Sequence, residues 1–451
     1  MNTPNDNFQH FKEIIGEKLN NIDKSKVRGE FKLSIYERYA LPSLRFHLSI
    51  HDLHKTHLEA LDKMTKKFIK KWLNYPTRGV TDLGIFHPLM LKVKQPSQLY
   101  MEGHAGNIAM MRLKGDEVVN KCIDSKINRE EKWKNKYSTA TECNKMFAKL
   151  VEQHKIVQPT TGNISKTHIS HAKKEIKKCI QAEVKDTWDT RVNKLVMQGN
   201  FTKLLIKENE NVTWQSIARK MPRNVMAFAT RICTNSLPSP DNLKRWGKRK
   251  VSTCPLCKNP CGTLAHIVNF CPTALKQQRF TWRHDSVLQH LTKEIKKLAK
   301  NNLEVFSDIP GHTLNGATIP ADIFVAIGKG SRPDLVIVNR KEKKIALMEL
   351  TCPLEQNVDK ANAYKTTTYT PLQLSLEEKG FQVELLPFEI GSSGHITNHN
   401  KKGIENILRK FGIKLKPHIF TNLSKISLLC TMSIFYAYQT SDWVDPPLLE
   451  P

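Results

Sequence analysis

Four residues in the middle of the chain have metal-ligand chemistry at metal-ligand spacing. Cys254-Pro-Leu-Cys257, His266 and Cys271 form the pattern C-x2-C-x8-H-x4-C. Two thiolates on a tight turn, with a histidine and a cysteine about one helical turn apart, can close a tetrahedron around zinc. Cys261 is a competing donor, but Asn259-Pro-Cys-Gly262 has the composition of a spacer turn, so the expected ligand set is Cys3His. A module this small has little apolar core, and zinc would have to supply much of its folding free energy. Directly before it, Lys244, Arg245, Trp246, Lys248, Arg249 and Lys250 place five cations and one aromatic ring within seven residues. Such a run can grip a phosphate backbone and stack on a base, which makes these six residues the candidate nucleic-acid contacts.

A second constellation lies in Arg332 to Thr351. Two apolar, β-branched-rich runs flank a charged turn centred between Lys341 and Glu342, which is a hairpin signal. Asp334 and Glu349 are equally far from that centre, so they should face each other across the strands with Cβ atoms about 5 Å apart. Two carboxylates that close repel unless a cation intervenes. Hard oxygen donors on adjacent strands can hold magnesium, which activates water and stabilises charge developing on a phosphate; two unrelated edge carboxylates would look the same in sequence. The following helix, expected from Glu355 to Tyr369, offers Lys365 and Lys360 as the cation that would complete the site.

The elements that must position these groups divide the chain. Length alone argues for several cores in 451 residues. Phe31 to Tyr75 reads as two helices broken at Pro42, the second with an apolar stripe at Leu58, Leu61, Met64, Phe68 and Trp72. A row of Lys63, Lys66, Lys67, Lys70 and Lys71 occupies its other face. That row is either a solvated face or a phosphate-tracking surface. Residues 151–171 are polar and turn-rich, as in a linker. A long amphipathic helix then carries Ile176, Ile180, Val184, Trp188, Val192 and Leu195 and ends at Gly199, and a further helical unit runs to Leu237. The expected divisions are a helical domain over 1–150, the linker, a helical linker domain with the basic run over 172–250, the knuckle over 251–275 and a mixed domain over 276–451.

Charge narrows the partners. With 71 basic and 43 acidic side chains the formal charge is +28, which points to a polyanion and away from a small-molecule substrate. The ten cysteines are scattered apart from the knuckle, unlike a secreted disulfide framework. The N-terminus has no apolar h-region, and the longest apolar stretch, Ile426 to Tyr438, is too short to span a bilayer, so no membrane partner is expected.

Taken together these segments resemble the C-terminal region of site-specific non-LTR retrotransposon reverse transcriptase polyproteins, transposable elements whose C-terminus carries a PD-(D/E)XK restriction-enzyme-like endonuclease. Leu41-Pro-Ser-Leu-Arg45 and Lys70-Lys-Trp-Leu73 resemble that family's thumb. Leu243-Lys-Arg-Trp-Gly247, Thr253 to Cys257, Gly262-Thr-Leu-Ala-His266 and Cys271 resemble its zinc knuckle. Trp282-Arg-His-Asp285, Arg332-Pro-Asp334, Glu349-Leu-Thr-Cys-Pro353 and Leu386 to Gly391 resemble its endonuclease, in order and spacing.

The resemblance implies a multidomain α+β protein: a helical thumb-like domain, a helical linker domain, a knuckle, and an α/β nuclease with a mixed sheet. That sheet would include Asp322 to Ile327, Leu335 to Val338, Ile345 to Leu350 and Phe381 to Leu386, with the helix at 398–411 packed on it. It further implies structural zinc, a catalytic magnesium ion on Asp334 and Glu349, and Lys365 as the lysine of the site, because Thr351 stands where related nucleases often place theirs. Target DNA and element RNA would be the partners and the nucleus the compartment. His284 and Asp285, expected to open a helix, would support the site or merely cap and pack it. Thr368 and Tyr364 depart from the family's helix motif, and no tyrosine-x-aspartate-aspartate polymerase motif occurs, so reverse transcription does not carry over. The expected activity is a magnesium-dependent DNA endonuclease; the alternative is a zinc-dependent nucleic-acid-binding remnant without catalysis.

Overall fold

The computed structural model describes residues 4–77, 79–132, 139–157, 164–208, 213–309, 332–444 and 446–449. They form two compact units: Met1–Lys194 with Pro222–Ala227, and Leu195–Met221 with Phe228–Pro451. The expected strand Asp322 to Ile327 and residues 158–163 of the expected linker lie outside the described residues.

The first unit is helical. A core of Ala105, Ile108, Ala109, Cys143, Phe147, Ile176 and Ile180 joins the helices Pro96–Lys114, Thr139–Glu152 and Lys166–Asn193. The last of these begins inside the segment read as a linker, because Ser165 caps it by accepting the His168 N–H. Its first turn is polar and mostly exposed, which is why apolar periodicity missed it. It also stops at Asn193, short of the expected Gly199.

The sequence suggested a break at Pro42, yet the chain stays helical there. Gly29–Ile35 runs into a π-turn at Tyr36–Ala40, then into Leu41–Ser43 and Arg45–Ile50. Pro42 follows the π-turn directly, and the wider turn is where the helix accommodates a residue without an N–H. The helix Lys55–Trp72 buries Leu58, Leu61, Thr65, Ile69 and Trp72; Met64 and Phe68, assigned to that stripe from the sequence, are only half-buried.

Its lysine row is not a uniform solvated face. Lys70 is buried and pairs with Asp82 at 2.5 Å, Lys66 reaches the same carboxylate at 2.9 Å, and Lys71 pairs with Asp23 at 2.6 Å. Lys63 and Lys67 remain exposed. Three of the row's five positions therefore have a structural duty, which spacing along a helix cannot reveal.

The second unit contains a four-stranded mixed sheet: β1 (Glu304–Ser307), β2 (Leu335–Asn339), β3 (Lys344–Thr351) and β4 (Gln382–Glu389), in that order. The first two pairings are antiparallel, and β3 with β4 is parallel. The parallel pair needs a crossover, which the Val358–Glu378 helix supplies. Strand β1 had no sequence signal, since Glu304-Val-Phe-Ser307 is too short to show alternation.

The sheet is covered on both faces, which explains the unbroken apolar run in β2 and β3. Leu335, Ile337, Ala346, Met348 and Leu350 pack with Val287, Leu291, Ile404, Leu408, Leu423 and Ile426. Val336, Val338, Ile345 and Leu347 pack with Tyr369, Leu372 and Leu376. The helix Pro417–Tyr436 is longer than its apolar core and, by length and composition alone, could cross a membrane. Ile419, Leu423, Ile426, Cys430 and Ile434 are nonetheless buried against the sheet, as in the core helix of a globular unit.

Candidate metal centres

In the knuckle, the backbone of Cys254 to Asn259 turns back on itself. Cys254 N–H donates to Asn259 O at 2.8 Å and Lys258 N–H to Cys254 O at 2.9 Å, with Lys258 in the left-handed region. The turn aims both sulfurs inward. His266 opens a π-turn that runs to Phe270, and Cys271 follows it directly. A π-turn returns to the same face after about five residues rather than four, so it aligns this pair, five positions apart, where an ordinary α-turn would splay it.

Consequently one donor atom from each of Cys254, Cys257, His266 and Cys271 lies within 4.8 Å of the others. Among the described residues this is the one place where three or more such donors are gathered. Cys261 is exposed and outside the set. Burial pushes the Cys271 thiol up to about 11, assisted by Cys254 and Cys257, and burial holds the His266 imidazole down in its neutral, ligating form. Three sulfurs and an imidazole enclosed together are poor company as free thiols and fit a divalent, thiophilic ion, with zinc the match for Cys3His.

The basic run is attached to this module. Asp241 N–H donates to Gly262 O at 3.2 Å, and Gly262 N–H to Ser252 O at 2.7 Å. A Cβ on Gly262 would lie 2.6 Å from Ser252 O and 3.0 Å from Pro240, so no side chain fits there. Lys244, Lys248 and Lys250 are exposed, while Trp246 and Arg249 are half-buried. Arg245 is exposed but partly engaged, donating to Asn242 Oδ1 and lying 3.7 Å from Asp241. Gly247 in the left-handed region ends the Pro240–Arg245 helix and turns the remaining cations outward.

At the end of the sheet, the β2–β3 register pairs Leu335 with Met348, so Asp334 and Glu349 are next in line across the two strands. Asp334 N–H donates to Glu349 Oε2 at 3.1 Å, and Leu350 N–H donates to Asp334 Oδ2 at 2.7 Å. Lys365 forms an ion pair with Glu349 Oε1 and lies over the Tyr369 ring, whose hydroxyl donates to Arg332 O at 2.8 Å. Lys360, the other lysine considered, is exposed.

His284 and Asp285 lie within the helix Arg279–Leu298 rather than opening it, so the capping alternative falls away. His284 presents Nε2 to Asp334 Oδ2 at 3.0 Å and Nδ1 to Asp285 Oδ1 at 2.9 Å. Only an imidazolium can donate to both carboxylates. Burial opposes that charge, but Asp334 and Asp285 outweigh it and hold the imidazole well above its ordinary range. Burial and the Asp334 charge push the Glu349 carboxyl up, with Lys365 pulling against them. Asp308, whose N–H donates to Asp334 O at 3.0 Å, is raised by burial and by Asp334 and Asp285, with Arg332 pulling against them.

Several residues that build the site carried no signal of their own in the sequence. Asp308 follows the short β1. Arg283, within Trp282-Arg-His-Asp285, is 1% exposed and fully embedded. Thr351 and Thr368 face other tasks: Thr351 Oγ1 is buried without a partner, and Thr368 bonds back to Tyr364 O at 2.9 Å.

A family model described as zinc-binding in reverse transcriptase matches residues 194–277, the span that contains the knuckle and the basic run. No curated protein matches the chain. Residues 194–277 are thus similar to a zinc-binding region of reverse transcriptases, and the match and the Cys3His cluster together support a reverse-transcriptase-associated protein.

Proposed function

We propose that this protein is a retrotransposon-derived, metal-dependent endonuclease that nicks target DNA, with the zinc knuckle and its basic run as the nucleic-acid grip. The observation that carries the reading is the convergence of Asp334, Glu349 and Lys365, from two strands and a helix, at one end of the sheet.

The residues fit a divalent ion. Among the described residues both hydrogen bonds to the Asp334 carboxylate fall on Oδ2, leaving Oδ1 for a cation, and a raised Glu349 carboxyl gains by acquiring one. Held there, magnesium would polarise the scissile phosphate and lower the pKa of an attacking water. Lys365 would neutralise charge on the phosphoryl oxygens, and Asp285 through His284 would keep Asp334 oriented. Water oxygen bonds to phosphorus, the P–O3′ bond breaks, and the products are a 5′ phosphate and a 3′ hydroxyl able to prime copying of an element RNA. DNA as substrate implies a nuclear location.

The second reading, a zinc-dependent nucleic-acid-binding protein without turnover, has one observation in its favour: Lys365 and His284 already neutralise both carboxylates. Supercoiled plasmid separates the two. Relaxation that requires magnesium and vanishes in Asp334→Asn supports the nuclease. DNA binding with no relaxation under any divalent ion refutes it and leaves the binding protein.

A further inference from the structure

The knuckle and the carboxylate site meet at a buried node. Arg283 donates Nη1 to Val268 O and to Thr431 Oγ1, each at 3.0 Å, and Nη2 to Cys352 O at 2.9 Å. Asn269 Nδ2 donates to the same Cys352 carbonyl at 2.9 Å. Val268 and Asn269 belong to the π-turn between the ligand positions His266 and Cys271. Cys352 directly follows β3, three residues after Glu349, and the residue after Arg283 is His284, which holds Asp334.

We infer that Arg283 and Asn269 are positioning residues through which the zinc knuckle sets the geometry of the Asp334–Glu349 site. The inference rests on the nuclease reading only for its effect on nicking. A buried guanidinium is tolerable only while its donors are satisfied, and its Nε already lacks a partner. It therefore cannot release Val268 O or Cys352 O without substantial cost. The two carbonyls it joins belong to different structures, the π-turn that zinc would hold closed and the exit of the strand that carries Glu349. Relaxing the π-turn withdraws Val268 O from Arg283 and Asn269 from Cys352 O together. The end of β3 and the adjoining His284 then lose their common anchor.

The Leu350 amide is a direct reporter, because its N–H donates to Asp334 Oδ2. The full chain is compared with zinc bound, after treatment with a zinc-selective chelator in excess magnesium, and as Asn269→Ala and Arg283→Lys with zinc content checked. In all three perturbed forms Leu350 amide exchange is expected to rise on the order of tenfold or more, the loss of one charge-assisted buried hydrogen bond. Ile337 and Ala346, deeper in the sheet, should keep their protection. Nicking should fall in kcat with little change in KM. Unchanged Leu350 exchange in zinc-replete Asn269→Ala and Arg283→Lys overturns the inference, even if chelation unfolds the whole chain. If the intact protein never nicks DNA, the nuclease reading fails while the exchange result still decides the coupling.

Discussion

Replacing Lys365 by methionine keeps the length and apolar stem of the side chain and deletes its charge, leaving Glu349 buried beside Asp334 without its cation. Removing one partner from a fully buried ion pair costs about 3–5 kcal/mol. Glu349 is 2% exposed, but the Lys365 side chain is 27% exposed, so water already screens the pair and the cost should fall to roughly 1.5–3 kcal/mol at pH 8. The penalty must depend on pH in one direction. The Glu349 carboxyl is raised above its ordinary 4.5 in the folded protein, mainly by burial, and losing Lys365 raises it further. Above that ordinary value the unfolded chain gives up its proton first, so stability contributed at this group falls as pH rises. A protonated Glu349 needs no cation, so the variant's penalty should shrink as pH falls. Denaturant unfolding of both proteins at pH 5 and pH 8 measures the difference. A penalty equal at the two values, or larger at pH 5, would refute the claim that Lys365 neutralises a buried Glu349.

The remaining expectations concern the other sites. Cys254→Ser should abolish stoichiometric zinc, whereas Cys261→Ser should retain it, as read by elemental analysis of the purified protein; retention in the first variant would remove Cys254 from the ligand set. In the first unit, Lys70→Met removes the buried partner of Asp82 and leaves it Lys66 alone, which should cost about 1–2 kcal/mol in denaturant unfolding, while Lys67→Gln should stay within about 0.5 kcal/mol. The exposed cations of the basic run should act through phosphates: Lys248→Ala with Lys250→Ala should weaken DNA binding uniformly across sequences and reduce the slope of log K against log salt by about 2. An unchanged slope would show that the run does not touch nucleic acid.

Much of the second unit was legible because its signals are local. The knuckle ligands follow from residue type and spacing. The Asp334–Glu349 pairing follows from the symmetry of a hairpin about Lys341 and Glu342, since a two-residue period leaves the register little freedom. Strands β2, β3 and β4 and the helix at Asn398–Lys410 were readable for the same reason, that a packed face imposes its period on the sequence. Short or polar elements were not: β1 offers four residues, and the first turn of the Lys166–Asn193 helix has no apolar face to show.

By itself, then, the sequence determined which residue types stand at metal-ligand and cross-strand positions, because those relations span a few residues and obey fixed backbone periods. Only the tertiary structure set Lys365 against Glu349, turned Lys70 into a buried partner of Asp82, set His284 between two carboxylates and gave Arg283 its three partners. Apart from the neighbouring His284–Asp285 contact, each of those outcomes depends on groups 12 to 148 positions apart being brought into contact and desolvated together, and a charge's role is set by what it is buried against, which no one-dimensional pattern records.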